Sequence, residues 1–198
     1  MIRNVDLNQA SRLVNHGPTI IVSTLHEGRR NLMAAAWSMP VEFTPPRIAV
    51  VIDKKTFTCE EALATGMLAL SIPCRAQADL TFTVGSTSGR DLPRPGPDKF
   101  AHFGIESFAG PALGLPLVAG CIAWMECRVL DEPRTQQLYD TFFVEVVSAQ
   151  ANERVFSAGR WSLREDNRDL HTLHHLGAGL FAVAGDPVQA RQQAPAAR

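Results

Sequence analysis

The sequence predicts a mainly β protein with a few short helices, a small antiparallel barrel or sandwich, and three observations carry that prediction. Short apolar β-type runs recur at close spacing, separated by turn-forming residues. The helical stretches between them are too few and too short to serve as the crossovers of a parallel sheet. The chain has 198 residues, 45% of them apolar, which is enough for one core without disulfides or metals.

Residues 19–25 (TIIVSTL), 32–41 (LMAAAWSMPV) and 47–52 (RIAVVI) read as successive antiparallel strands, parted by HEGRRN and FTPP. Three more strands follow at 67–72 (MLALSI), 121–130 (CIAWMECRVL) and 141–149 (TFFVEVVSA). Alternation in 121–130 puts Cys121, Ala123, Met125, Cys127 and Val129 on a core face. Ile122, Trp124, Glu126 and Arg128 fall on the other, which is expected to be at least partly wet. A helix is expected from Thr58, where TCEE has capping-box spacing, to a terminating Gly66. Two further helices are expected at 77–84 and 98–103, with GSTSGRDLPRPGP (85–97) between them as a surface loop. Residues 1–186 read as one domain. The remainder, 187–198 (PVQARQQAPAAR), is expected to be a disordered tail.

Twenty acidic against 19 basic residues leave a net charge of -1, which argues against nucleic-acid binding driven by bulk charge. No window approaches the roughly 20 apolar residues of a membrane span, and the N-terminus lacks the pattern of a signal peptide. The four cysteines form no CxxC pair, so reduced thiols in a cytoplasmic protein are expected.

Several motif-like strings are set aside on context. GAGLFA (177–182) has the letters of a dinucleotide fingerprint, but too little chain follows it for a βαβ unit. GSTSG has Thr87 where a nucleophile elbow needs serine, and it lacks the ending of a phosphate-binding Walker loop. His171, His174 and His175 have no accompanying carboxylate or nearby cysteine, so packing at a loop or interface is favoured over a metal site. Cys121 and Cys127 lie about 20 Å apart along an extended strand and read as core residues.

The segment that carries chemistry is 31–58, NLMAAAWSMPVEFTPPRIAVVIDKKTFT. Ala34, Ala35 and Ala36 forgo side-chain packing in mid-strand, a bareness that a planar ligand or a second chain would use. Trp37 and Ser38 add an aromatic edge and a hydroxyl. Lys55, Thr56 and Thr58 stand at a helix entry, where free N–H groups, a cation and hydroxyls suit a monophosphate. Taken alone, Lys54 and Lys55 fit equally well as two solvated side chains at a strand end.

In order, GPTIIVSTLHEG, NLMAAAWSMPVEFTPPRIAVVI, KKTFT, SGRDLPRPGPDKF, AWMECRVL and FFVEVVSA resemble the flavin reductase-like family with an FMN-binding split barrel, closest to its flavoredoxin-like branch. The resemblance runs from about residue 17 to about residue 185. Its most specific elements are N-x-x-x-x-x-W-S-x-P, the PP pair before a strand, K-T-x-T, and S-G-R-D with a following D-K-F. It implies a six-stranded antiparallel Greek-key split barrel that forms a homodimer, with FMN in a groove near the dimer interface. On that pattern Asn31 and Trp37 flank the flavin and the backbone of Ala34, Ala35, Ala36 and Ser38 runs beside the isoalloxazine. Lys55, Thr56 and Thr58 take the phosphate, Lys99 reaches the same cofactor and Phe181 covers the ring. Two positions depart from the pattern: Tyr139 stands near where relatives often carry a flavin-directed histidine, and Val144 replaces a glycine.

The activity implied is NAD(P)H-dependent flavin reduction, with hydride passing from NADH or NADPH to FMN N5 and no catalytic side chain or metal required. An oxygenase or redox protein would be the downstream partner. The alternative within the family is a non-enzymatic flavoredoxin-type electron carrier with no nicotinamide site. A split barrel holding pyridoxal phosphate or haem, and an interaction module with no cofactor, are the remaining readings.

Overall fold

The protein is described by a computed structural model covering residues 1–193. The chain begins with β1 (Ile2–Asn4), β2 (Ile20–His26), β3 (Arg29–Ala35), β4 (Ser38–Phe43) and β5 (Pro46–Val51). Helix α1 (Phe57–Thr65), β6 (Met67–Ile72), α2 (Ala78–Ser86) and α3 (Lys99–His102) follow. Next come β7 (Ser107–Ala109), β8 (Pro116–Val118), β9 (Ala123–Val129), α4 (Pro133–Tyr139) and β10 (Thr141–Asn152). Two short hairpins follow: β11 (Phe156–Ser157) with β12 (Arg160–Trp161), then β13 (Leu173–Gly177) with β14 (Leu180–Val183).

The main sheet is antiparallel in the order β3-β2-β6-β9-β10-β5-β4, with β1 added as an eighth strand against β10. The expected mainly β architecture with short helices is present, but the expected six-stranded barrel is corrected. The sheet is open, because its end strands β3 and β4 do not pair with each other. Two features raise the strand count: β1 had no sequence signal, and the single strand expected over 32–41 is two. It breaks at Ala36 and Trp37, where the alanine run gives up the side-chain packing that holds a strand in a sheet. Beyond the break, β4 carries Pro40, which has no N–H to donate, and its register against β5 shifts between Pro40 and Glu42. Only Ala36 and Trp37 connect the two ends of the sheet, so it is rolled until its edges approach without joining.

The face of β9 expected to be at least partly wet is wet only at its end. Trp124 and Glu126 are buried, and only Arg128 of that strand is exposed. The Glu126 carboxylate accepts the N–H groups of Ala112 at 2.7 Å, Leu113 at 2.8 Å and Leu115 at 3.3 Å, which tethers the 110–115 turn over that face. Gly110 leaves room for this carboxylate, since a Cβ there would overlap it. The opposite face of β9 supplies Ala123, Met125 and Cys127 to the larger core, as its alternation predicts. All four cysteines are free and buried.

Helix α1 starts earlier than expected. Its N-cap is Thr56, whose Oγ1 accepts from Cys59 N at 3.2 Å, and Gly66 ends it in the left-handed region at φ 66°. Thr58 does not cap; its hydroxyl is turned inward. The helices expected near 77–84 and 98–103 are α2 and α3, and Asp98 caps α3 by accepting from Ala101 N at 2.8 Å. Residues 85–97 are irregular apart from the end of α2 and one short turn at Gly89–Asp91. Among the described residues no helix is long and apolar enough to cross a membrane. Residues 187–193 are exposed and without regular structure, and the rest of the expected tail lies outside the described residues.

Candidate functional site

Strand β3 is the floor of a cleft with two compartments that meet at Gly85 and Ser86, the C-terminal end of α2. The first, of about 280 Å³, is lined by Ala34, Ala35 and Ala36 on one side and by Phe82, His175 and Phe181 on others. Small residues here let helix and strand approach closely: a Cβ on Gly85 would lie 3.1 Å from that of Ala34. The β13–β14 hairpin borders this compartment. Its turn, Gly177-Ala178-Gly179, has φ values of 110°, 48° and 77°, and the two glycines adopt theirs readily. The fingerprint-like GAGLFA is therefore a hairpin turn, with Gly179 against the ring of Phe82. His175 and Phe181 face each other across the hairpin with ring centroids 5.3 Å apart, and His175 N donates to Thr19 Oγ1 at 3.0 Å.

The second compartment, of about 330 Å³, collects Asn31, Lys55, Thr56, Thr58, Gly89 and Lys99. The first turn of α1 opens onto it, and the N–H groups of such a turn lack intrahelical partners. Asn31 Nδ2 donates to Thr58 Oγ1 at 2.9 Å, and both residues are buried. The other end of the same amide, Asn31 Oδ1, is buried with no protein partner. A buried acceptor left open in a cleft wall is costly until a donor meets it. Lys55 is exposed beside the helix entry, while Lys54 is engaged by Asp140 at 3.3 Å.

Lys99 lines this compartment, with its ammonium held by the protein's own carbonyls. It is 2% exposed, and its ammonium donates to the carbonyls of Leu32 and Val84, each at 2.7 Å, and to that of Thr87. Burial pushes its pKa down to about 8. The side chain clasps the end of α2 to β3 and so fixes the boundary between the compartments.

Trp37 and Ser38 are not brought into the cleft wall. Trp37 is 73% exposed at the break between β3 and β4, and Ser38 pairs with Val50 in the sheet. Tyr139, at the end of α4, is also exposed and lies away from the cleft lining. Sequence reasoning gave Glu61 only the place of the acid in a capping box; with Thr56 as the N-cap it is instead buried and accepts the Thr24 hydroxyl at 2.5 Å. Its signal was the three-residue spacing from Thr58, which places both on one side of α1.

Among the described residues no cluster of histidine, cysteine or carboxylate could hold a metal ion. His171 is buried against the carbonyls of Ala184 and Arg164, and His174 contacts Gly17 O at 3.1 Å. His16 packs edge-on against Trp161 and His174, and burial, with the charge of His174 second, lowers its pKa to about 4.

Comparison with known proteins agrees with this architecture. The chain is 52% identical over 189 residues to the uncharacterized protein YddH of Escherichia coli K12, covering 94% of this chain and 96% of that protein. A crystal structure described as an FMN-binding domain of a flavin reductases-like enzyme from Shewanella baltica is 40% identical. It superposes with a TM-score of 0.89 over 96% of this chain and 98% of that one. The flavoredoxin of Desulfovibrio vulgaris, at 22% identity, shares the fold with a TM-score of 0.72 over 88% of this chain and 90% of its own. The pattern of flavin reductase like domains matches residues 11–173, most of the chain, and the protein belongs to the flavin reductase like domain family.

Proposed function

We propose that the chain binds FMN along the cleft and acts as an NAD(P)H-dependent flavin reductase. The observation that carries this reading is the continuity of two unlike compartments, one bare and flat, the other polar and opening onto a helix N-terminus. The residues present suit the cofactor. Lys55, the Thr58 hydroxyl and the first-turn N–H groups of α1, which Thr56 caps, would hold the phosphate. Asn31 Oδ1 would accept a hydrogen bond from the flavin, meeting the need of its open, buried acceptor. The backbone of Ala34, Ala35 and Ala36 would lie along the isoalloxazine, with Phe181 as a covering aromatic. Bound FMN would supply the redox chemistry, accepting at N5 the hydride of NADH or NADPH. The protein's part is then to position the ring and leave it open to the donor.

We also propose a homodimer. Trp37, Met39, Val41 and Phe43 are large apolar residues at alternate positions on or beside the edge strand β4, exposed by 73%, 59%, 43% and 69%. An apolar edge of this kind favours a covering partner. A second copy would give Trp37 a buried place near the open side of the sheet.

The test is the visible spectrum of the protein with FMN under anaerobic conditions, before and after NADH and then NADPH. Bleaching of bound flavin by either nucleotide is the expected result and names the donor. Bound flavin that neither nucleotide bleaches would replace this reading with that of an electron carrier, and absence of bound flavin would overturn it.

A further inference from the structure

Glu61 is a buried carboxyl to which no role has yet been given. It is 2% exposed, and among the described residues no lysine, arginine or histidine lies within ion-pair distance of it. Its neighbour Glu60 differs, being exposed and paired with Arg90 at 2.6 Å. Around Glu61, Thr24 on β2 donates its hydroxyl at 2.5 Å, and the Asn31 amide on β3 also favours the charged form. His26 on β2 and Arg94 in the 85–97 loop act in the same direction from farther away. Burial outweighs all four and holds the carboxyl above the usual glutamate range. Glu61 lies one helical turn beyond Thr58, and Thr58 and Asn31 both line the end of the cleft proposed to take a phosphate.

We propose that Glu61 is a proton-binding residue of this site, so that seating a phosphate dianion at the start of α1 shifts its carboxyl toward the protonated form, with the proton taken from solvent. This rests on the FMN reading above. A second negative charge brought near a carboxylate with no cationic partner favours its neutral form. Proton and phosphate therefore assist each other's binding by equal factors. No other bond changes: one proton leaves solvent, and the carboxylate becomes a carboxylic acid. The coupling operates in the window above the usual glutamate range, since at lower pH Glu61 already holds its proton.

The experiment is calorimetric titration of the full chain with FMN between pH 5 and 8, in buffers of different ionisation enthalpy, for wild type and Glu61→Gln. Riboflavin, which lacks the phosphate, is the parallel probe. Wild type should take up protons with FMN that Glu61→Gln does not, and toward the alkaline end the variant should bind FMN about threefold more tightly. Riboflavin should show no such difference. The comparison cancels the phosphate's own second ionisation, near pH 6. Thr24→Val supplies an independent variant: it removes a hydrogen bond to the charged form and should move the uptake window to higher pH. FMN binding with identical proton uptake in wild type and Glu61→Gln, or an unmoved window in Thr24→Val, would overturn the proposal while leaving the flavin reading intact. Failure of wild type to bind FMN at all would overturn both.

Discussion

Gly89 and Asn31 are in such close contact that a Cβ on Gly89 would overlap the Asn31 amide oxygen and come within 3.1 Å of the Phe57 ring. The glycine of S-G-R-D thus serves a residue far away in sequence: its bareness leaves Oδ1 of Asn31 where the cleft can use it. Gly89→Ala is expected to displace the amide and weaken FMN binding about tenfold, or roughly 1.4 kcal/mol, while the fold survives. A fluorescence titration with FMN measures this, and unchanged affinity in the folded variant would detach Asn31 from the ligand.

The phosphate end gives a second expectation. Charge-assisted hydrogen bonds contribute about 1.5–3 kcal/mol each, so Lys55→Ala combined with Thr58→Ala should weaken FMN by an order of magnitude or more. Riboflavin should be affected far less. Equal losses for the two flavins would place the phosphate elsewhere.

Lys99 predicts a stability effect. Its ammonium meets three carbonyls, two of them in buried contacts, so Lys99→Met would leave them without this donor. The expected loss is about 3 kcal/mol, read from urea unfolding. A loss under about 0.5 kcal/mol, the range of ordinary surface changes, would show that the carbonyls find other partners.

His16 sets a pH dependence. Its pKa is about 4 in the folded chain against 6.5 for the unperturbed group, so between those values the unfolded state binds the proton and the folded state does not. Stability from this source is whole above about pH 6.5 and declines as pH falls toward 4, by on the order of 3 kcal/mol in total. Thermal melts of wild type and His16→Gln across this range should converge as pH falls, since the variant lacks the titrating group. Parallel curves would show that His16 is not the cause.

Much of the fold was legible because its signals are local. The strand expected at 67–72 is β6 residue for residue, since MLALSI is bounded by Gly66 and Pro73. Alternation does not reveal where a strand leaves its sheet, so the break at Ala36 and Trp37 was hidden within an apolar run. The helix entry held two threonines, both suited to capping. The choice of Thr56 follows from the turn in which its N–H donates to Asp53 O at 2.8 Å. The cleft was legible in part for the same reason: Asn31, Ala34 and Lys55 occur in one segment with distinctive residue types. Lys99 was visible as a lysine near the site, but its direction is decided by carbonyls from β3 and α2, which no local pattern announces.

Both compartments are lined from β3, with Asn31 at one and Ala34 and Ala35 at the other. Successive residues of an extended strand advance about 3.3 Å, so these positions stand roughly 10 to 13 Å apart, a separation the strand cannot stretch. The backbone of β3 is in effect a ruler. It grades ligands by the length between their flat part and their anionic end, before any side chain has judged their chemistry.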